Sequence, residues 1–330
     1  MNGSNGFYDA YAHVGLPRFA SAEDAWAVLQ HYQIECANMV LFPGSPDFAS
    51  ALELRTIAAD RIRLIGIPFG NDEPERRRYA EQQIAWGFNG LRLMPFEIEP
   101  HKIAMQLMGE AGRWLFAINP YQNEASAAAL LKWLNHYPKG RIISPHFLRT
   151  DTIGSLIAQV PSMSGLFEHP RFYAIFSRQG GAGEGFSDPY ESLRPWVEGV
   201  SDRMGWDRLM WGSEFPVLYW RNELIDEAQT WLQRLLPKLS EEEYEKFTRD
   251  NTRRLFFEEP APEIADNLVP EWVEPVKTAG HANYFGAKSF KIPADLHQKL
   301  MQGYYQNHSP AQPTRFADYL VEKLNQAVTQ

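Results

Sequence analysis

The chain has 330 residues and a net charge of −9, with 44% hydrophobic and 22% charged residues, an ordinary globular composition. The excess of acid argues against a nucleic-acid binder, and no run approaches the ~20 apolar residues of a membrane span. A single cysteine, Cys36, excludes an intrachain disulfide framework, and residues 1–6 lack a basic, apolar leader, so a cytoplasmic location is expected.

In chain order, Phe7 to Val14 reads as a strand in which Tyr11 and His13, two apart, point to the same side. Ser21-Ala22-Glu23-Asp24 has the form of a capping box that opens a helix from Ala25 to Tyr32. Strand and helix then alternate. Strands are predicted at Cys36–Phe42, Ile62–Ile67, Asn89–Pro95, Trp114–Ile118, Arg141–Ser144, Arg171–Phe176 and Leu209–Trp211. Helices are predicted at Leu52–Ala59, Glu73–Trp86, His101–Glu110, Glu124–His136, Thr152–Gln159, Tyr190–Met204 and Asn222–Leu236. A final helix, capped at Ser240, runs to Phe257.

Eight strands alternating with helices over about 250 residues is the pattern of a (β/α)8 TIM barrel. An open doubly wound sheet is the alternative, but the first strand-helix turn has no G-x-G-x-x-G. The strand ends carry Tyr11, His13, Arg92, Asn119, His146, Ser177, Arg178 and Glu214. Polar groups from six strands converge on one mouth only if the sheet closes. Five of them also have a structural reading: His13 and His146 as core histidines satisfied by backbone, Arg92 tying barrel carboxylates, Arg178 solvated, and Glu214 capping the next helix.

The expected domains are a barrel over residues 1–257, an acidic Pro-rich linker or strap over 258–286, and a C-terminal extension over 287–330. Glu258 to Pro275 holds six acids, four prolines and no base. The α-rich extension is read as a strand, Lys288 to Ile292, followed by helices Asp295–Tyr305 and Arg315–Gln326. That order resembles a ribbon-helix-helix module. With six Lys/Arg against three acids from Val276 to Gln330, dimerisation or covering of the active site is favoured over DNA binding.

Four motifs resemble the amidohydrolase-related family, the amidohydrolase family 2 branch of the metal-dependent hydrolases. They are Tyr8-Asp9-Ala10-Tyr11-Ala12-His13-Val14-Gly15, Gly87-Phe88-Asn89-Gly90-Leu91-Arg92-Leu93, Ile142-Ile143-Ser144-Pro145-His146 and Arg208-Leu209-Met210-Trp211-Gly212-Ser213-Glu214-Phe215-Pro216. Asn251 to Phe256 resembles the family's closing helix. The resemblance implies a barrel enzyme that hydrolyses small molecules or decarboxylates aromatic-derived acids. It also marks departures at the metal ligands. Tyr11 stands at the first His of D-x-H-x-H, Asn119 at a ligand His and Glu214 at the Asp of G-S-D, while His13 and His146 are kept. Tyr and Asn are poor ligands for Zn²⁺, and the family includes metal-free lactonases.

The expected function is therefore metal-independent acid–base chemistry on a small carboxylated or aromatic molecule, by hydrolysis or a related lyase or cyclisation step. Glu214 and His146 are the expected catalytic pair, Glu214 in a largely apolar mouth, with His13 and Tyr11 as partners. Arg92, Asn119, Ser177 and Arg178 are expected to bind substrate. One alternative places Zn or Mn on His13, His146 and Glu214. The other is a non-catalytic barrel used for binding or assembly. A homodimer through the C-terminal extension is a further expectation.

Overall fold

The computed structural model describes residues 6–16, 18–43, 46–182, 190–221, 223–264, 294–307 and 316–328. The chain divides into two compact units, Met1–Tyr284 and Phe285–Gln330. In the first, eight parallel strands pair in sequence order. They are β1 (Phe7–Ala12), β2 (Ile34–Val40), β3 (Ile62–Gly66), β4 (Gly90–Leu93), β5 (Trp114–Ala117), β6 (Arg141–Ser144), β7 (Phe172–Phe176) and β8 (Leu209–Trp211). This is the (β/α)8 barrel that the alternation predicts.

Helices fill the crossovers: α1 (Ala22–His31), α2 (Phe48–Ala58), α3 (Glu73–Ala85), α4 (Pro95–Ile98), α5 (Lys102–Glu110), α6 (Glu124–His136), α7 (Ile153–Gln159), α8 (Ser162–Glu168), α9 (Arg194–Met204) and α10 (Ile225–Leu235). Their starts are written in the sequence. Ser21, Asp47, Asp72, Asn123 and Thr152 each accept a backbone N–H of the first turn. In α10, Ile225, Ala228, Trp231, Leu232 and Leu235 fall on one buried face, a 3.6-residue period that seats the helix on the barrel. The four-residue α4 is too short for a periodic pattern, and α8, as short as α7, lacks the side-chain cap that marks the start of α7.

Two hydrophobic layers result. One lies between the strands and the surrounding helices. The other fills the barrel interior with Ala10, Val40, Ile65, Phe116, Ile143, Ile175 and Met210. After α11 (Glu241–Glu245) the chain stays helical, with π-type segments at Lys246–Asp250 and Arg253–Phe257. Its end closes the interior: the Phe256 ring lies 4.7 Å from Trp114 and 6.0 Å from Phe116. Buried Arg63 holds that end by donating to the Phe256 and Glu259 carbonyls at 2.8 and 2.9 Å. The closing helix therefore plugs the end opposite the polar strand termini.

The seam between β1 and β8 closes the barrel. Glu214 N–H donates to the Tyr11 carbonyl at 2.8 Å, and His13 N–H donates to the Phe215 carbonyl at 2.7 Å. Asp9, fully buried, accepts from the Tyr11 and Ser213 N–H groups at 3.0 Å each and from the Ser213 hydroxyl. Gly212 permits this approach, since a Cβ there would sit 3.0 Å from Tyr11 Cβ and 2.8 Å from Ile175 Cγ2.

In the second unit, α12 (Ala294–Asn307) and α13 (Phe316–Val328) match the two expected helices. They pack through Tyr304 and Tyr319, with ring centroids 5.6 Å apart. The expected strand Lys288–Ile292 and most of the expected linker lie outside the described residues. No helix of the described residues is long and apolar enough to cross a membrane.

Burial pushes the Asp9 carboxyl up to about 6, against hydrogen bonds from Ser213 and Tyr11 that favour the ionised form. Its folded value is thus above its unfolded one, so its contribution to stability is complete at low pH and is lost as pH rises through about 6. Asp9→Asn keeps acceptors for both N–H groups and cannot ionise. Relative to that variant, the parent should lose on the order of 2–3 kcal/mol between about pH 4 and 6.5, read by urea unfolding. Parallel profiles for the two proteins would show that Asp9 stays ionised throughout.

Candidate active site

The eight strand-end residues singled out in the sequence all line one cavity of about 500 Å³. It opens at the carboxyl ends of the strands, where barrel folds bind ligands. Tyr11 lies on β1 and His13 just past it, Arg92 on β4 and Asn119 just past β5. His146 follows β6, Ser177 and Arg178 follow β7, and Glu214 follows β8. Arg18, Phe42, Met94 and Tyr121 complete much of the wall.

Four of these residues leave their strands in the left-handed region: Asn119 at φ 47°, His146 at 56°, Arg178 at 66° and Glu214 at 57°. For a non-glycine residue that conformation costs about 1 kcal/mol or more. It breaks the strand at once and turns the side chain into the mouth.

Hydrogen bonds fix the protonation of both histidines. His13 Nδ1 lies 2.7 Å from the Val40 carbonyl, which can only accept, so Nδ1 carries the proton and Nε2 keeps its lone pair. The ring stacks on Phe19, 4.7 Å between centroids. Burial pushes the His13 imidazole down to about 3, opposed by the Val40 contact and by Glu214. His146 Nδ1 sits 2.9 Å from the Ser177 hydroxyl, which also accepts the His146 backbone N–H at 3.2 Å. Nε2 lies 3.5 Å from Glu214 Oε1, an acceptor-only carboxylate, which favours the tautomer with N–H at Nε2 and the Ser177 hydroxyl donating to Nδ1. Burial, and then Arg178, Arg92 and Arg221, hold His146 well below the usual imidazole range. Both rings are neutral at pH 7.

Tyr11 lies between them, its ring 5.1 Å from His13 and 4.7 Å from His146. Its hydroxyl accepts from Arg92 Nε at 3.2 Å and keeps its own proton for the cavity. Burial pushes the phenol up, with Arg92 opposing. Arg92 also meets the Met94 sulfur at 3.7 Å and lies over the Phe42 ring, 5.5 Å from its centroid, contacts unlike the carboxylates of a structural tie. Asn119 Oδ1 accepts the Tyr121 hydroxyl at 3.0 Å, leaving the amide N–H groups as donors.

Glu214 is not in the apolar setting that the sequence suggests. Its Oε2 lies 2.6 Å from Arg221 Nη1, and Arg221 in turn pairs through Nε with Glu223. Arg18, Arg221 and Glu223 went unremarked in the sequence. Arg221 lies seven residues past Glu214, at the end of a short 3-10 helix, Val217–Arg221, that is too brief to show as a periodic pattern. Among the described residues, no group of three or more His, Cys, Asp and Glu side chains is placed to hold a metal ion. The guanidinium groups of Arg92, Arg178 and Arg221 further disfavour a dication beside a single carboxylate.

Comparisons with known proteins agree with this architecture. A probable 2-pyrone-4,6-dicarboxylic acid hydrolase from Acinetobacter baumannii, with citric acid bound, is 15% identical at a TM-score of 0.58, covering 76% of this chain and 99% of that one. An amidohydrolase from Burkholderia multivorans, with bound HEPES, is 16% identical at a TM-score of 0.58, covering 77% and 100%. The same protein has been solved with bound zinc. A 2,6-dihydroxybenzoate decarboxylase in complex with 2,6-dihydroxybenzoate is 14% identical at 0.51, covering 76% and 98%. No curated protein matches the chain. The family model described as Amidohydrolase matches residues 6–257. The chain belongs to the amidohydrolase family.

Proposed function

We propose that this protein is an enzyme that hydrolyses a small carboxylated ring compound, or carries out a related lyase or cyclisation step, by acid–base chemistry without a bound metal. The observation that carries this reading is the pairing of one carboxylate, Glu214, with neutral His146 Nε2–H in a cavity that Arg18, Arg92 and Arg178 make cationic. Family membership and the neighbouring folds support an enzyme. By their names, two of those neighbours act on a pyrone dicarboxylate and on a dihydroxybenzoate, both anionic rings.

In this mechanism Arg178 and Arg18 hold the substrate carboxylate, and Asn119 orients the reacting carbonyl. Glu214 removes a proton from water as the water oxygen attacks that carbonyl. The developing oxyanion faces the Tyr11 hydroxyl, backed by Arg92, and the His146 Nε2–H. The ring C–O bond then breaks, and the leaving oxygen takes the proton from Glu214. His13, with its free Nε2, accepts a hydrogen bond from substrate or water. Ser177 acts through His146 by fixing its tautomer.

The second reading, a divalent metal on His13, His146 and Glu214, is favoured by the zinc found in the Burkholderia relative. Elemental analysis of protein purified without chelator separates the two. About one equivalent of Zn or Mn, lost together with activity on chelation, would establish the metal; less than about a tenth is expected here.

Glu214→Gln should lower kcat on 2-pyrone-4,6-dicarboxylate, followed by loss of pyrone absorbance, by about 10²–10⁴-fold, with a cooperative melt retained. Unchanged turnover would remove Glu214 from the mechanism and favour a binding role for the barrel.

The histidines give a pH test. His13, at about 3, and His146, well below its ordinary 6.5, take up protons only far below neutrality. The rate should therefore show no imidazole limb between about pH 5.5 and 7.5. A limb near the ordinary imidazole value, abolished by His146→Asn, would show that His146 works as a cation.

A further inference from the structure

The segment after β8 carries a largely buried row of alternating charge, Glu214, Arg221 and Glu223, of which the acid–base scheme uses only Glu214. Arg221 Nη1 sits 2.6 Å from Glu214 Oε2, and Arg221 Nε pairs with the Glu223 carboxylate. Glu223 is 6% exposed and Glu214 4%. Two carboxylates on different edges of one guanidinium fix its plane as well as its place, which a single pair does not do. The β7 loop packs directly on this row. A Cβ at Gly180 would lie 2.7 Å from Glu223 Oε1, and one at Gly181 would lie 3.1 Å from Arg221 Cδ. Arg221 is absent from the cavity wall, whereas Glu214 is part of it.

The two oxygens of Glu214 therefore differ. Oε2 is committed to Arg221, while Oε1 is left toward His146 Nε2 at 3.5 Å and the cavity. A metal would need Glu214, His13 and His146 turned to a common point, and no such grouping occurs among the described residues. The cation that meets this carboxylate belongs to the chain itself.

We propose that Arg221, braced by Glu223, is a positioning residue that gives Glu214 a built-in cation from behind the cavity wall, so that the carboxylate is already paired and does not call for a divalent ion. The proposal rests on the reading of Glu214 as the acid–base group. It goes beyond that reading in assigning the orientation of the carboxylate, and the exclusion of a dication, to one side chain.

Two measurements test it, one of which needs no substrate. The first is turnover of 2-pyrone-4,6-dicarboxylate. Arg221→Gln should lower kcat by about 100-fold with KM held within about threefold, because Arg221 touches Glu214 and not the substrate. Arg221→Lys, which keeps the charge but not the fork, should recover about tenfold of that loss. On a Glu214→Gln background, Arg221→Gln should cost nothing further. A loss of the same size in both backgrounds would mark a structural residue and overturn the proposal.

The second is affinity for Zn²⁺ alone, by competition with a chromogenic chelator, on variants that keep a cooperative melt. Arg221→Gln should bind Zn²⁺ at least about tenfold more tightly than the parent, and adding Glu214→Gln should abolish the gain. Equal affinity in parent and Arg221→Gln overturns the proposal. If the parent does not turn over the pyrone, that choice of substrate fails and the zinc comparison alone decides the role of Arg221.

Discussion

A buried carboxylate registers the two ends of this barrel. Asp9 is at zero exposure and accepts two backbone N–H groups, one from β1 and one from the loop after β8, together with the Ser213 hydroxyl. Leaving such donors unsatisfied in the interior would cost about 1–3 kcal/mol each. The contact also sets function. Tyr11 and His13 belong to one side of the seam and Glu214 to the other, some 200 residues apart in sequence. The Tyr11 carbonyl to Glu214 N–H bond, beside Asp9, holds these groups in one register. Without the seam the mouth would be two half-sites on the edges of an open sheet.

Strain and solvation are used together at that mouth. Asn119, His146, Arg178 and Glu214 all adopt left-handed backbone where their strands end, a conformation that the surrounding packing must overdetermine. The barrel can hold it because the opposite end is closed by Phe256 against Trp114 and Phe116, and anchored by Arg63. Stability concentrates at the plugged end, where side chains are apolar and close-packed. The open end carries the costly features: strained backbone, buried histidines and clustered guanidinium groups. Such a division is general to barrels. In this chain it can be traced to named residues at both ends.

The electrostatics select a ligand more sharply than the shape of the cavity does. Arg18, Arg92 and Arg178 line it, and Glu214 is the acid in its wall. The histidines add no charge, since burial and the arginines hold both neutral. An anion entering this cavity meets buried Arg92 together with half-buried Arg18 and exposed Arg178, so charge-assisted hydrogen bonds are offered from three sides. Glu214 is itself occupied by Arg221, which keeps it from closing the cavity by pairing with Arg92 or Arg178. That division of labour, with Arg221 bound to the acid and Arg18, Arg92 and Arg178 in the cavity wall, keeps the pocket cationic.

What was legible in the sequence follows from the range of the interactions. The strands, the long helices and the caps at Ser21 and Ser240 depend on neighbours within four residues, and their pattern is plain in the chain. The strand-end residues were legible for a topological reason: once eight strands close, their carboxyl ends must meet, so polar residues at those positions share a mouth. Arg221 is different. Its partners are Glu214 and Glu223, seven and two positions away, and the short 3-10 helix Val217–Arg221 that carries it to them is too brief to be read from a hydrophobic period. The setting of Glu214 could not be read for the same reason, because an acid after an apolar strand suggests an apolar pocket until the loop returns a guanidinium to it. Local pattern fixes which groups reach the mouth, whereas the charge each one meets there depends on loops whose path only the folded chain decides.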